Sequence, residues 1–118
     1  MSGMIFGGGL DSRVAVYVPS TIHAAAAPAP LVASMVEEVA SGLASLFGGA
    51  TATAGRGAWY SEDLGKMIFE DVTIVYAFTT AEALEQAAEK IRAICEHVRD
   101  VMKQEAVSLE VNNALHFI

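Results

Sequence analysis

The chain has 118 residues and a formal net charge of −7, with 53% hydrophobic and 18% charged residues. The length suits one domain, and the apolar excess excludes a disordered chain. The acidity argues against a protein that grips the nucleic-acid backbone through a basic stripe. Residues 1–60 carry only Asp11, Arg13, Glu37, Glu38 and Arg56, and every other charged side chain lies in residues 61–118. An uncharged first half fits either burial within one copy or cover by another subunit, because charge is depleted at interface cores.

Residues 1–12 (MSGMIFGGGLDS) read as a flexible Gly-rich leader, and 13–118 as a single α+β domain. Arg13–Val18 alternates as a strand, with Val14, Val16 and Val18 on one face and Ala15 and Tyr17 on the other. Pro19 ends it, and Ser20–Ala29 is a loop. Pro30 suits the first turn of a helix, which runs to Phe47 and stops at Gly48 and Gly49. Ala50–Tyr60 is a second strand, with a bulge or an edge expected at Gly55 and Gly57. Ser61–Lys66 is a turn. Met67–Phe78 is the strongest strand, apolar on both faces and therefore central. Thr79–Glu82 has capping-box spacing with Thr79 as N-cap, opening a long amphipathic helix to about Gln104. Val107–Val111 alternates as a strand. Asn112-Asn113 suits a hairpin turn because Asn tolerates positive φ, and Ala114–Ile118 returns as a short last strand.

The order strand, helix, strand, strand, helix, strand predicts a ferredoxin-like antiparallel sheet with both helices on one face and a short extra C-terminal strand. The second face then has no helix, although the central strand is apolar on both sides. A homo-oligomer is expected to cover it. No apolar run reaches the ~18 residues of a membrane span. Ala24–Ala27 resembles a small-residue cleavage site, but a basic start is missing and Asp11 and Arg13 break the apolar stretch. A cytoplasmic protein without membrane partner is expected. Cys95 lies on a helix stripe and reads as a buried thiol.

No nucleophile, acid or base constellation stands out, and the enzyme question leans towards no. His23, His97 and His116 lack metal-ligand spacing, so neither metal nor cofactor is expected. The candidate ligand site is Arg56 as an anion contact, Trp59 and Tyr60 as stacking faces, and Ser20, Thr21 and Thr51 as hydroxyls. The competing arrangement pairs Arg56 with Glu70 or Asp71 and buries Trp59. Glu70 and Asp71 are adjacent on a strand, point to opposite faces, and do not form an acid/base pair by themselves.

VYVPST (Val16–Thr21), FGGAT (Phe47–Thr51), GAW (Gly57–Trp59), the later Glu70 and LEVN (Leu109–Asn112) together resemble a family of small accessory proteins of phages and conjugative elements. The resemblance covers residues 13–118 and carries no activity, cofactor or site residue. It implies a counter-defence context. Two function classes follow. The first is a non-enzymatic oligomeric binder that sequesters a small anionic, nucleotide-derived ligand at Arg56, Trp59, Tyr60, Ser20, Thr21 and Thr51. The second is an acidic inhibitor that engages a basic surface of a host protein through Glu62, Asp63, Glu82, Glu85 and Glu89. A small dimeric α+β enzyme of unspecified reaction is third.

Overall fold

The computed structural model describes residues 8–23 and 25–118. The elements in chain order are β1 (Ser12–Pro19), β2 (Thr21–Ile22), β3 (Ala25–Ala26), α1 (Ala29–Phe47), β4 (Thr51–Ser61), β5 (Lys66–Thr79), α2 (Ala81–Val101), β6 (Ser108–Val111) and β7 (Ala114–Phe117). Five strands form one sheet in the order β4-β5-β1-β6-β7, with every neighbouring pair antiparallel. This is the ferredoxin-like layout with β7 added at one edge.

Alternation divides the sheet into two faces. Val14, Val16, Val18, Val75, Ala77 and Leu109 meet Met35, Val39 and Leu43 of α1 and Leu84, Ile91, Cys95 and Val98 of α2 in one buried cluster. Each such aliphatic side chain, fully removed from water, contributes roughly 1.5–3 kcal/mol. The opposite face carries Tyr17, Val72, Ile74, Tyr76 and Phe78, and among the described residues no helix covers it. β5 is thus apolar on both sides, as its sequence predicts, and the described helices cover only one of them.

Helix α1 has the length and apolarity of a membrane span, with a mean hydropathy of 1.3 over its most apolar window. In the fold, the stripe Met35, Val39 and Leu43 is buried, and Glu37 and Glu38 lie on its exposed side. Gly48 closes the helix at φ 92°, its N–H donating to the Ala44 carbonyl at 2.7 Å. That left-handed geometry is cheap only for glycine.

Three local expectations change. The N-cap of α2 is Thr80, whose hydroxyl accepts the Ala83 N–H at 3.1 Å. Thr79 stays in β5, paired with Ser12 and buried, so the strand runs one residue further and the capping box with Glu82 does not form. No bulge interrupts β4, since Thr51 to Ser61 pair with β5 residue by residue. It is an edge strand, the other option that its glycines allowed. The loop after β1 holds the two-residue strands β2 and β3. The expected leader lies outside the described residues except for its last part, of which Ser12 opens β1.

Asn112 takes φ 54° in the β6–β7 turn. Its side-chain oxygen accepts the Arg13 N–H at 2.9 Å and its own N–H donates to the Arg13 carbonyl at 2.8 Å, which ties the last hairpin to β1.

Candidate functional site

β1 stops pairing with β5 at Pro19 and Val72, whereas β4 and β5 continue together to Ser61 and Lys66. Residues 56–71 therefore project beyond the sheet as a two-stranded arm. The arm carries Trp59, Tyr60, Leu64, Met67 and Phe69, all at least half exposed. Two-stranded ribbons twist strongly, so side chains near the tip serve both sides of the arm.

A cleft of about 950 Å³ lies between this arm, α1 and the loop after β1. Trp59, Phe69, Glu70 and Asp71 line it from the arm, and Val36 and Glu37 from α1. Ser20 and Thr21 form its third wall. That wall is pinned. The Ser20 hydroxyl donates to the Asp71 carbonyl at 2.7 Å. Ala27 N–H donates to the Ser20 carbonyl at 2.9 Å, and the Gln104 amide donates to the Thr21 carbonyl at 2.7 Å.

The ionisable groups lining this cleft are Glu37, Glu70 and Asp71, with no Lys, Arg or His among them. Such a lining favours a cation, or hydroxyl groups donating to carboxylates, over a free anion. Arg56 pairs with Asp71 at 3.6 Å, both side chains being well exposed, and its guanidinium lies 5.2 Å from the Phe69 ring centre. An exposed pair of this kind is worth ~0–1 kcal/mol. A second cleft of about 470 Å³ opens on the helix-free side, where Arg56, Gly55, Gly57 and Tyr17 join Trp59 and Glu70. Trp59 is shared by both clefts and is half exposed rather than buried.

Of the predicted ligand residues, the structure brings Ser20, Thr21 and Trp59 together in the first cleft. Arg56 lies in the second. Tyr60 lines neither. Thr51, at the other end of β4, borders a separate hollow with Phe47 and Tyr76. The five carboxylates of the inhibitor reading fall into two groups: Glu62 and Asp63 at the arm tip, Glu82, Glu85 and Glu89 on the first half of α2. The 14 residues of β5 separate them, a span of roughly 45 Å at ~3.3 Å per residue. Glu37 and Phe69 escaped sequence reasoning. Glu37 reads as a solvated helix position and Phe69 as core, and only the projection of the arm under α1 joins them. Among the described residues, no group of three or more His, Cys, Asp or Glu is placed to hold a metal ion.

Two solved structures of a phage SAM lyase share this fold. The complex with S-methyl-5'-thioadenosine matches at TM-score 0.67 and 16% identity, over 94% of this chain and 91% of that one. The apo state matches at 0.68 and 19% identity, over 94% and 90%. A Bacillus cereus protein related to NIF3 matches at 0.54 and 14% identity, over 88% of this chain but 26% of that chain. No protein-family model and no curated protein matches the chain. The likeness is one of fold, and it extends across nearly the whole chain. The solved lyase comes from a phage, the setting that the sequence resemblance names.

Proposed function

We propose that this protein is a phage or mobile-element counter-defence protein that takes S-adenosylmethionine in the first cleft and cleaves it to S-methyl-5'-thioadenosine. The observation that carries this reading is the cleft's lining: an aromatic pair, Trp59 and Phe69, beside Glu37, Glu70 and Asp71, with no basic side chain. An adenine needs a stacking face. A ribose needs acceptors for its hydroxyls. A sulfonium and an ammonium need negative charge nearby. The fold shared with a phage SAM lyase supports the same choice of ligand.

The chemistry suits a site without a recognisable acid, base or nucleophile. When the bond from sulfur to the γ-carbon of the methionyl chain breaks, the electron pair goes to sulfur and cancels its charge. S-methyl-5'-thioadenosine leaves as a neutral thioether, so no general acid is required. The carbon fragment balances by closure onto its own carboxylate, whose oxygen forms a bond to the γ-carbon as the bond to sulfur breaks. What the protein supplies is orientation and exclusion of water. An acidic cleft also concentrates a cationic substrate and favours release of a neutral product. Removal of a methyl donor in the host cytoplasm is a direct form of counter-defence.

The test is incubation of the purified protein with S-adenosylmethionine, followed by chromatography and mass spectrometry. S-methyl-5'-thioadenosine should accumulate in proportion to enzyme and be lost in Glu70→Gln. A thermal-shift panel separates this reading from anion sequestration. Stabilisation by S-adenosylmethionine or the thioether supports it. Stabilisation by nucleoside phosphates alone, with no turnover, overturns it.

A further inference from the structure

A further hollow, of about 600 Å³, adjoins the first cleft and shares Thr21, Trp59 and Glu70 with it. His23 lines it from the loop after β1, and Lys103, Gln104 and Glu105 line it from the segment after α2. The first cleft has no basic side chain in its lining. This hollow has two, His23 and Lys103, beside two carboxylates, Glu70 and Glu105. Both basic side chains are exposed, and among the described residues neither belongs to an ion pair. The two segments are fixed to each other, because the Gln104 amide donates to the Thr21 carbonyl at 2.7 Å and to the Met102 carbonyl at 2.8 Å.

Lys103 stands where its backbone does not favour it. Met102 N–H donates to the Val98 carbonyl and Gln104 N–H to the Arg99 carbonyl, both at 2.9 Å. That closure takes the chain through a left-handed residue at position 103, a place usually filled by glycine. α1 has Gly48 at its left-handed cap, at φ 92°, whereas α2 has Lys103, at φ 54°. His23 is left-handed as well, at φ 50°. Among the described residues Asn112 is the third such non-glycine, and its side chain is accounted for by the bond from Arg13. The other two come from distant segments and border the same hollow. Residues held in sparsely populated backbone regions cluster at ligand sites.

Both signs of charge in one small space suit a particular kind of group. An α-amino acid head carries a carboxylate and an ammonium on the same carbon, and it needs a cation and an anion side by side. S-adenosylmethionine ends in such a head. Its adenosine, sulfonium and ammonium are served by the first cleft, but its carboxylate finds only like charges there. The adjoining hollow supplies the missing cations at the border formed by Trp59 and Glu70.

We infer that this hollow reads the amino-acid end of the substrate, with Lys103 and His23 on the carboxylate and Glu70 and Glu105 flanking the ammonium. The inference rests on the reading of the first cleft as an S-adenosylmethionine site. Lys103 is then a specificity residue. It favours S-adenosylmethionine over the same compound without its carboxylate and over S-methyl-5'-thioadenosine, which has no amino-acid end. The contact also suits the bond changes. A cation that holds one carboxylate oxygen leaves the other to form the bond to the γ-carbon. The ring closed in this way has no free carboxylate, so the attraction to Lys103 is lost as the bond to sulfur breaks, and both products leave a site that gripped the substrate.

Lys103→Gly, Lys103→Arg and His23→Gln test the inference. Initial rates give KM for S-adenosylmethionine. Calorimetry gives the affinity for decarboxylated S-adenosylmethionine and for S-methyl-5'-thioadenosine, neither of which has a carboxylate to close a ring. Lys103→Gly should raise KM by about tenfold or more, the usual worth of a charge-assisted hydrogen bond. It should leave the affinity for the other two compounds within about twofold, since they make no contact with that side chain. Its melting temperature should be no lower than that of the wild type, because glycine takes the left-handed position without strain. Lys103→Arg should restore KM to within about threefold by keeping the charge. His23→Gln should act in the same direction as Lys103→Gly. Turnover with a KM that Lys103→Gly leaves unchanged overturns this inference alone. So does an equal loss of affinity for all three compounds, the mark of a structural role. Neither binding nor turnover of S-adenosylmethionine by the wild type overturns the reading of the first cleft, and this inference with it.

Discussion

The Arg13 guanidinium lies 4.1 Å from the centre of the Tyr76 ring, on the face of the sheet opposite the two described helices. Its Nε is 3.6 Å from Glu110 Oε2, and the other Glu110 oxygen accepts the Tyr17 hydroxyl at 3.0 Å. β1, β5 and β6 each contribute to this cluster, which holds polar groups in an otherwise apolar surface. Arg13→Ala is expected to destabilise the fold by ~1–2 kcal/mol through loss of the stacked cation and of its packing. Arg13→Lys keeps the charge but not the planar stack. Urea unfolding of Arg13→Ala, Tyr76→Leu and the double variant should give a coupling of ~0.5–1 kcal/mol.

The same cluster makes stability sensitive to alkaline pH. Burial pushes the Tyr17 phenol above its ordinary value, and the hydrogen bond to Glu110 and that group's charge push the same way, against a smaller opposing effect of Arg13. A phenol that titrates higher in the folded chain binds its proton more tightly there than in the unfolded chain. Its contribution is complete below about pH 10 and is lost as pH rises through the raised value. Urea midpoints measured from pH 8 to pH 11 should fall less steeply for Tyr17→Phe than for the wild type.

Cys95 should be inert in the native protein. Burial pushes its thiol up to about 11, with Glu96 acting the same way and Arg92 against it. At pH 8 the thiolate fraction is then ~100-fold below that of a free cysteine, since only the thiolate attacks. Alkylation should be at least ~100-fold slower in buffer than in denaturant, as followed by mass spectrometry. The stabilisation that this raised value represents is present below pH 9.0 and lost as pH approaches about 11.

Thr80 and Thr79 separate by mutation. Thr80→Ala removes the hydroxyl that accepts the Ala83 N–H and should cost ~1 kcal/mol. Glu82→Gln should cost no more than a few tenths of a kcal/mol, because Glu82 has no capping partner and acts only on the helix dipole. Thermal unfolding of the two variants reads the difference directly.

Trp59→Ala should weaken ligand binding by roughly tenfold or more, the usual worth of one stacking face being ~1–3 kcal/mol. Because Trp59 is half exposed, the same change should alter stability by less than ~0.5 kcal/mol. Arg56→Ala should leave affinity for S-adenosylmethionine within about threefold, since Arg56 does not itself line the first cleft and its exposed pair with Asp71 is worth little. Titration calorimetry with S-adenosylmethionine checks both.

Much of the fold is legible in the residues because it rests on local chemistry. Val14, Val16 and Val18 alternate against Ala15 and Tyr17 whatever they pair with. Gly48 stops a helix and Asn112 turns a hairpin because few other residues take positive φ cheaply. The capping position is one residue off because two threonines stand in a row. Which of them leaves the strand depends on Ser12 pairing with Thr79, a contact from the other end of the chain.

The two helices, the five strands of the main sheet, their order and the surplus of apolar surface on β5 follow from residue pattern, whereas the two-residue strands β2 and β3 do not. Which side chains share a cleft is set by contacts between distant segments. That depends on where β1 lets go of β5, at Pro19 and Val72, and on how far β4 and β5 then run on together. Past that point Trp59 and Phe69 of the arm line one cleft with Glu37 of α1. Alternation predicts the face of a residue within a sheet. It does not predict where a strand loses its neighbour, because that is set by residues distant in the chain.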